Sequence, residues 1–272
     1  MDKVKTKLLQ KVNPKTGRGM TETTATQYIR YLRTINGGDF KTLSFLKDTE
    51  KVLSIINEKY SPSTRASALN ACYVVSSISS GYSQVAKYYQ TKFQEYIQPI
   101  NKQRNSGEKT EKEQAYWITW EEVIKRRDEL EGLDKVILSL YTMIPPRRAK
   151  DYGVMEINCS SGNCFDVEGH QFIFREYKTA ASFGEQKIPV PDDLYSVLME
   201  YIGEKREGKL LPITTPSITK HLNKVFKPRK ISVSALRHIY DTHHFGEAKK
   251  KMKKVAEQMA HSTNVQGQYV KE

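Results

Sequence analysis

The stretch YGVMEINCSSGNCFDVEGHQFIFREYKTAASFGEQKIPVP, residues 152–191, decides how the chain folds. Within it the helical spacing of apolar residues gives way to four short runs, YGVMEIN, CFDVEG, HQFIFREYK and QKIPVP, separated by turn residues. Short runs rich in Val, Ile, Phe and Tyr, bounded by Gly, Asn, Asp and Ser, read as strands. They predict a small antiparallel sheet. The sequence on both sides is helical in pattern, so the expected class is α+β, mainly α with one small sheet.

Just upstream, Thr119 followed by Glu122 forms a capping box that opens WEEVIKRRDEL. LDKVILSLYTMI then predicts a more buried helix ending at Pro145. Downstream, Asp192 or Asp193 caps LYSVLMEYI, whose Leu194, Val197, Leu198, Tyr201 and Ile202 share one face. Thr215-Pro216 starts a helix carrying Ile218, Leu222, Val225 and Phe226. Two further helices are expected, around SALRHIYDTHHF and AKKKMKKVAEQM.

The first half carries no strand signal. TQYIRYLRTI runs to the stop Asn36-Gly37-Gly38, TEKVLSIINEKY follows, STRASALNACYVVSSI starts after Ser61-Pro62, and SQVAKYYQTKFQEYIQPI precedes Pro99. These predict an all-helical domain over 21–100. Before it, 1–20 reads as a mobile basic arm, with six basic side chains and one acid in the first 19 residues. After it, NKQRNSGEKTEKEQ has no apolar side chain, so 101–115 reads as a linker and 116–272 as a second domain.

The 44 Lys and Arg outnumber the 31 Asp and Glu, for a net charge of +13 and a pI near 9.4. Such an excess favours a polyanionic partner, above all nucleic acid. The start MDKVKTKLLQKV lacks a signal-peptide core, and VILSLYTMIPP is too short to span a bilayer, so no membrane role is expected. Three cysteines, Cys72, Cys159 and Cys164, suit a reducing, intracellular compartment. Cys159, Cys164 and His170 make three ligands of a tetrahedral metal site, but a fourth has no candidate, so no metal is expected. There is no phosphate-cradling Gly-Lys loop, dinucleotide-binding glycine run or His-Glu-x-x-His helix, so no cofactor is expected.

Four stretches of the second half stand in a telling order. IPPRRAKDY puts Arg148 three residues before Asp151, a spacing that Arg147 lacks. REYKTAASFGEQKIPVP puts Lys178 between two strands. VSALRHIYDTH carries Arg237, and MAHSTNVQGQY ends with His261 and Tyr269. Over 116–272 this resembles the catalytic domain of the tyrosine recombinase (phage-type integrase) family, and 21–100 is similar in length and pattern to that family's core-binding domain.

The resemblance implies a site-specific recombinase or integrase that acts on double-stranded DNA and self-associates there as a dimer or tetramer. Arg148, Lys178, Arg237, His261 and Tyr269 fall on the catalytic positions, and Asp151 on that of a structural acid. The family usually has histidine where Ser234 stands, three residues before Arg237. Ser234 can give one hydrogen bond to a phosphate but no charge. His221, on the preceding helix, is the other candidate phosphate contact.

The chemistry asks for these residue types. Two guanidiniums and an imidazole neutralise a crowded phosphorus centre, and a tyrosine of pKa ~10 needs nearby cations to become phenolate. A lysine on a strand turn can protonate the departing 5′ oxygen. Two rival readings are a type IB topoisomerase, which would carry lysine at the Ser234 position, and a non-cleaving DNA-binding relative.

Overall fold

A computed structural model describes residues 2–12, 17, 19–262, 265 and 267. The chain divides into two units, Met1–Glu108 and Lys109–Glu272.

The first unit is helical. It comprises α1 (Asp2–Gln10), α2 (Glu22–Asn36), a 3₁₀ turn (Ser44–Lys47), α3 (Thr49–Lys59), α4 (Pro62–Ser77) and α5 (Ser83–Ser106). The Thr21 hydroxyl accepts from the Thr24 amide to start α2, and Gly37, at φ 81°, ends it in the left-handed conformation that costs glycine least. Asp48 caps α3 through the Lys51 amide. Leu32, Leu46, Ile56, Leu69 and Val75 are buried together, and the enclosed Tyr89 donates its hydroxyl proton to the Leu46 carbonyl at 2.9 Å.

Two expectations for this unit change. Residues 2–10, expected as part of an arm, form α1, whose Leu8 is fully buried in the same core. The basic composition hid a short apolar face of Val4, Leu8 and Leu9. The stretch 101–115 is also largely helical. α5 runs on through Pro99 to Ser106 and stops at Gly107 (φ 79°), and α6 (Glu111–Tyr116) begins four residues later. A Thr110–Glu113 capping box starts α6, so local hydrogen bonds hold a helix that has no buried residue.

The second unit contains α6, α7 (Trp120–Asp128), α8 (Gly132–Leu140), α9 (Ala149–Gly153), β1 (Glu156–Ile157), β2 (Cys164–Asp166), β3 (Gln171–Phe174), α10 (Ala180–Phe183), β4 (Gln186–Pro189), α11 (Asp192–Ile202), β5 (Gly208–Lys209), α12 (Thr215–Val225) and α13 (Val233–Gln258). The Thr119–Glu122 capping box is present at the start of α7. The class is α+β, mainly α with one small sheet. That sheet has the order β4-β3-β2-β1-β5 and is mixed. β2–β3, β3–β4 and β1–β5 are antiparallel, but β1 runs parallel to β2. The expected all-antiparallel sheet fails because left-handed bends at Asn158 (φ 49°) and Gly162 (φ 69°) let the chain turn back twice within the loop 158–163. Only two residue pairs need to match, so no long crossover is required.

Other boundaries shift for local reasons. α8 stops at Leu140, because Pro145 and Pro146 offer no N–H to the carbonyls of Tyr141 and Thr142. Pro191 occupies the N-cap of α11, leaving Asp192 and Asp193 in the first turn, where their charge suits the helix dipole. The two helices expected after residue 232 are one, α13, continuous through Gly246. A single glycine costs about 1 kcal/mol, too little to break a helix otherwise rich in good formers.

The core of this unit joins α8, α11, α12, the start of α13 and the face of the sheet that carries Phe165, Phe172 and Phe174. Tyr152 sits among them, edge-on to Tyr141, Phe172 and Phe174 at 5.5–5.9 Å. Gly153 lets α9 approach α12: a Cβ there would collide with the Thr215 hydroxyl and lie 3.0 Å from its Cα. No helix among the described residues is long and apolar enough to cross a membrane.

Candidate active site

Behind α8 the chain runs Ile144-Pro145-Pro146-Arg147-Arg148 into α9, and this bend forms one wall of a cleft of about 350 Å³. Arg148, Asp151, Thr179, Gln186 and Arg237 line it, from α9 and its N-cap, the β3–β4 connection, β4 and α13.

The two adjacent arginines have different surroundings. Arg147 is enclosed. Its Nε donates to Asp151 Oδ2 at 3.2 Å and its Nη1 to Gln186 Oε1 at 2.8 Å, and its guanidinium carbon lies 3.8 Å from the Phe174 ring centre and 4.9 Å from that of Tyr177. The Asp151 side chain is 3% exposed, so its charge is neutralised within the wall. Arg148 is the half-buried N-cap of α9; its carbonyl accepts from the Asp151 amide at 2.9 Å, and its side chain makes no hydrogen bond or ion pair among the described residues. The three-residue spacing that selected Arg148 therefore joins it to Asp151 through main chain only; the carboxylate pairs with the Arg147 guanidinium, four residues earlier. Arg148 is left available to a ligand.

Arg237 lies in the buried first part of α13, beside Leu236 and Ile239. Its Nε donates to the Pro146 carbonyl at 3.1 Å, which ties α13 to the same bend. The remaining guanidinium nitrogens have no hydrogen bond among the described residues. Burial raises the pKa of Tyr141 well above the tyrosine range, the neighbouring Tyr152 and Asp151 add to this, and the charge of Arg237 opposes it. The positive charge of Arg237 is thus felt in the core beneath the cleft.

Lys178 is exposed in the β3–β4 connection and has no partner among the described residues; its neighbour Thr179 lines the cleft. Ser234 is exposed in the first turn of α13, where Ser232 supplies the cap by accepting from the Ala235 amide. His221 is held elsewhere, its Nδ1 2.5 Å from Asp134 Oδ1 of α8, and it does not line the cleft. His261 follows the end of α13, where Ala260 turns left-handed (φ 56°) and the His261 amide donates to the Ala256 carbonyl at 3.0 Å. Tyr269 lies outside the described residues. The cleft thus brings together Arg148, Arg237 and Asp151 with the base of the Lys178 connection, and leaves His221 out.

The thiols have their own arrangement. The Cys159 amide donates to Cys164 Sγ at 2.6 Å, and burial, with the adjoining Cys164 thiol, pushes the Cys159 pKa up to about 12. His170 stacks on Tyr195 with ring centres 3.8 Å apart.

Sequence reasoning missed Arg147 and Asn163. Arg147 pairs at i, i+4 with an acid, a signal available in the sequence but outweighed by the neighbouring spacing. Asn163, read as a turn residue in SSGN, is buried, and nothing local marks it.

Chemically, the cleft offers two guanidiniums to an anion, and the carboxylate that lines it among the described residues, that of Asp151, is already compensated. Fixed donors of this kind in a partly enclosed site bind phosphate strongly and stabilise developing negative charge. Compared with models of known families, with curated proteins and with solved structures, the chain matches none.

Proposed function

We propose that this chain cleaves and rejoins DNA strands at specific sites, by the chemistry of a tyrosine recombinase or integrase, through a transient 3′-phosphotyrosine. One observation carries the reading: Arg148 and Arg237 line one cleft with donors unspent, while Arg147 neutralises the acid between them. The net charge of +13 supports a nucleic-acid partner.

In this reading a non-bridging phosphate oxygen sits against Arg148 and Arg237, and His261 donates to the other. The Tyr269 phenol loses its proton to solvent, and its oxygen attacks phosphorus. The bond from phosphorus to the 5′ oxygen breaks, the electron pair leaves on that oxygen, and the Lys178 ammonium supplies its proton. Rejoining reverses each step. The phosphotyrosine ester keeps the bond energy, so the cycle consumes no nucleotide. Ser234 and His221 are secondary contacts in this scheme, His221 only if it leaves Asp134. The substrate is duplex DNA, two or four copies of the chain act together on it, and the site of action is intracellular, wherever that DNA lies.

The test is covalent trapping on a nicked suicide duplex carrying the target site. The wild-type chain is expected to form an adduct, and Tyr269→Phe none, with DNA affinity retained. Undiminished adduct in Tyr269→Phe would sink the nucleophile assignment. Binding without adduct in the wild type would favour a non-cleaving DNA-binding protein.

A further inference from the structure

Asn163 joins the two walls of the cleft. It is 1% exposed, in the short loop between β1 and β2, and all four of its amide hydrogen bonds are made to main chain. Nδ2 donates to the Asp151 carbonyl of α9 and to the Glu176 carbonyl, both at 2.9 Å. Oδ1 accepts from the Arg175 amide at 2.9 Å and the Glu176 amide at 2.8 Å. The β3–β4 ladder ends at Phe174↔Gln186, so Arg175 and Glu176 leave it with groups unmatched by a strand. Asn163 takes the place of that missing strand and fixes the direction in which the chain departs.

The rest of the connection is closed at its base. Arg175 Nε donates to Glu185 Oε2 at 2.6 Å, and its Nη1 reaches back to the Gly162 carbonyl at 3.2 Å. The Tyr177 hydroxyl donates to the Gly184 carbonyl at 2.7 Å. Lys178 follows at once, exposed and without a partner among the described residues. The lysine is thus carried on a stapled base whose anchor, Asn163, also grips the helix that Arg148 caps.

We propose that Asn163 is a positioning residue that sets the distance between Arg148 and Lys178, so that Lys178 meets the leaving 5′ oxygen of a phosphate held by Arg148. This rests on reading the cleft as a phosphoryl-transfer site. A buried asparagine that merely supports the fold would affect every substrate alike. One that aims a general acid affects only substrates whose leaving group needs a proton.

The experiment uses the full chain and two nicked duplexes, one natural and one with sulfur in place of the bridging 5′ oxygen at the scissile phosphate. A thiolate leaves without protonation. Asn163→Asp keeps the acceptor and loses both donations; Asn163→Ser loses the reach of both. Single-turnover adduct formation on the natural duplex is expected to fall by about 10²-fold, the scale of a 1 Å misplacement. Affinity for DNA should be unchanged, and the rate on the sulfur duplex should return to within about threefold of wild type, as for Lys178→Ala. Equal loss on both duplexes, or no loss on either, overturns the proposal while leaving the cleavage reading intact. Absence of adduct from the wild type on both duplexes overturns that reading and the proposal with it. If neither variant folds, amide exchange in the unsubstituted protein decides: Arg175 and Glu176 should exchange slowly, and fast exchange there removes the anchor.

Discussion

The wall that carries Arg148 and the helix that carries Arg237 hold equivalent charges by opposite means. The wall is knit by polar bonds: Arg147 to Asp151 and Gln186, and Asn163 to main chain on two elements. Apart from the Arg237 bond to the Pro146 carbonyl, α13 is held by apolar burial, chiefly of a short stretch, Val233 to Ile239, and from Asp241 to Lys254 every residue except Gly246 is exposed. Polar bonds fix direction, because they are lost when an angle or a distance is wrong. Apolar burial fixes depth and tolerates small rotations. The wall is therefore the side that substitutions should damage most, and the outer helix the side that should bear them.

The largest effect expected is that of Arg147→Ala. It leaves the buried Asp151 carboxylate without its cation, and losing one partner of a buried pair costs about 3–5 kcal/mol. Denaturant unfolding measures it; a loss below about 1 kcal/mol would mean that the wall does not depend on this pair. Next comes Arg148→Ala, with unfolding free energy unchanged but adduct formation down by about 10²–10³, the scale of one oxyanion donor. Equal losses of stability from the two substitutions would erase the distinction between these neighbours.

Smaller effects are expected on α13. Ser234→His adds a charged donor to its exposed first turn and should speed cleavage by about 10-fold, equivalent to one good hydrogen bond to a charged group. Unchanged or slower single-turnover rates would show that another group already fills that position. Smallest of all, Met252→Ser on the exposed outer half should change stability by no more than about 0.5 kcal/mol. A larger loss would show that this part of the helix is covered in solution.

The legible parts of this fold were those written locally. The Thr119–Glu122 box, the strand runs around Phe165 and Phe172, and Pro216 at the start of α12 each act within a few residues, and each stands where the sequence puts it. The Thr110–Glu113 box was equally legible, but the absence of apolar residues around it outweighed the cap. Pro99 misled because its cost of about 3 kcal/mol is spread over a 24-residue helix that continues past it. The parallel pairing of β1 with β2 turns on the left-handed bend at Asn158, which composition does not encode. β5 is two exposed residues, Gly208 and Lys209, with no alternation to read. Within the candidate site, Arg148 and Arg237 were legible from the order of the motifs. Of the contacts that make Arg147 structural, the i, i+4 pairing with Asp151 was legible, but those with Gln186 and Phe174 were not, because they lie far along the chain.

The stapled base of the β3–β4 connection has a consequence for how the surface can change over time. Because Arg175–Glu185 and Tyr177–Gly184 close the connection below its tip, residues 179–183 behave as a cassette on a fixed socket that keeps Lys178. Doubling the length of such a segment adds only about 0.6 kcal/mol of closure entropy. The tip can therefore be lengthened, shortened or replaced without disturbing the sheet beneath it, and a lineage can alter what this edge of the cleft touches while its foundation stays intact.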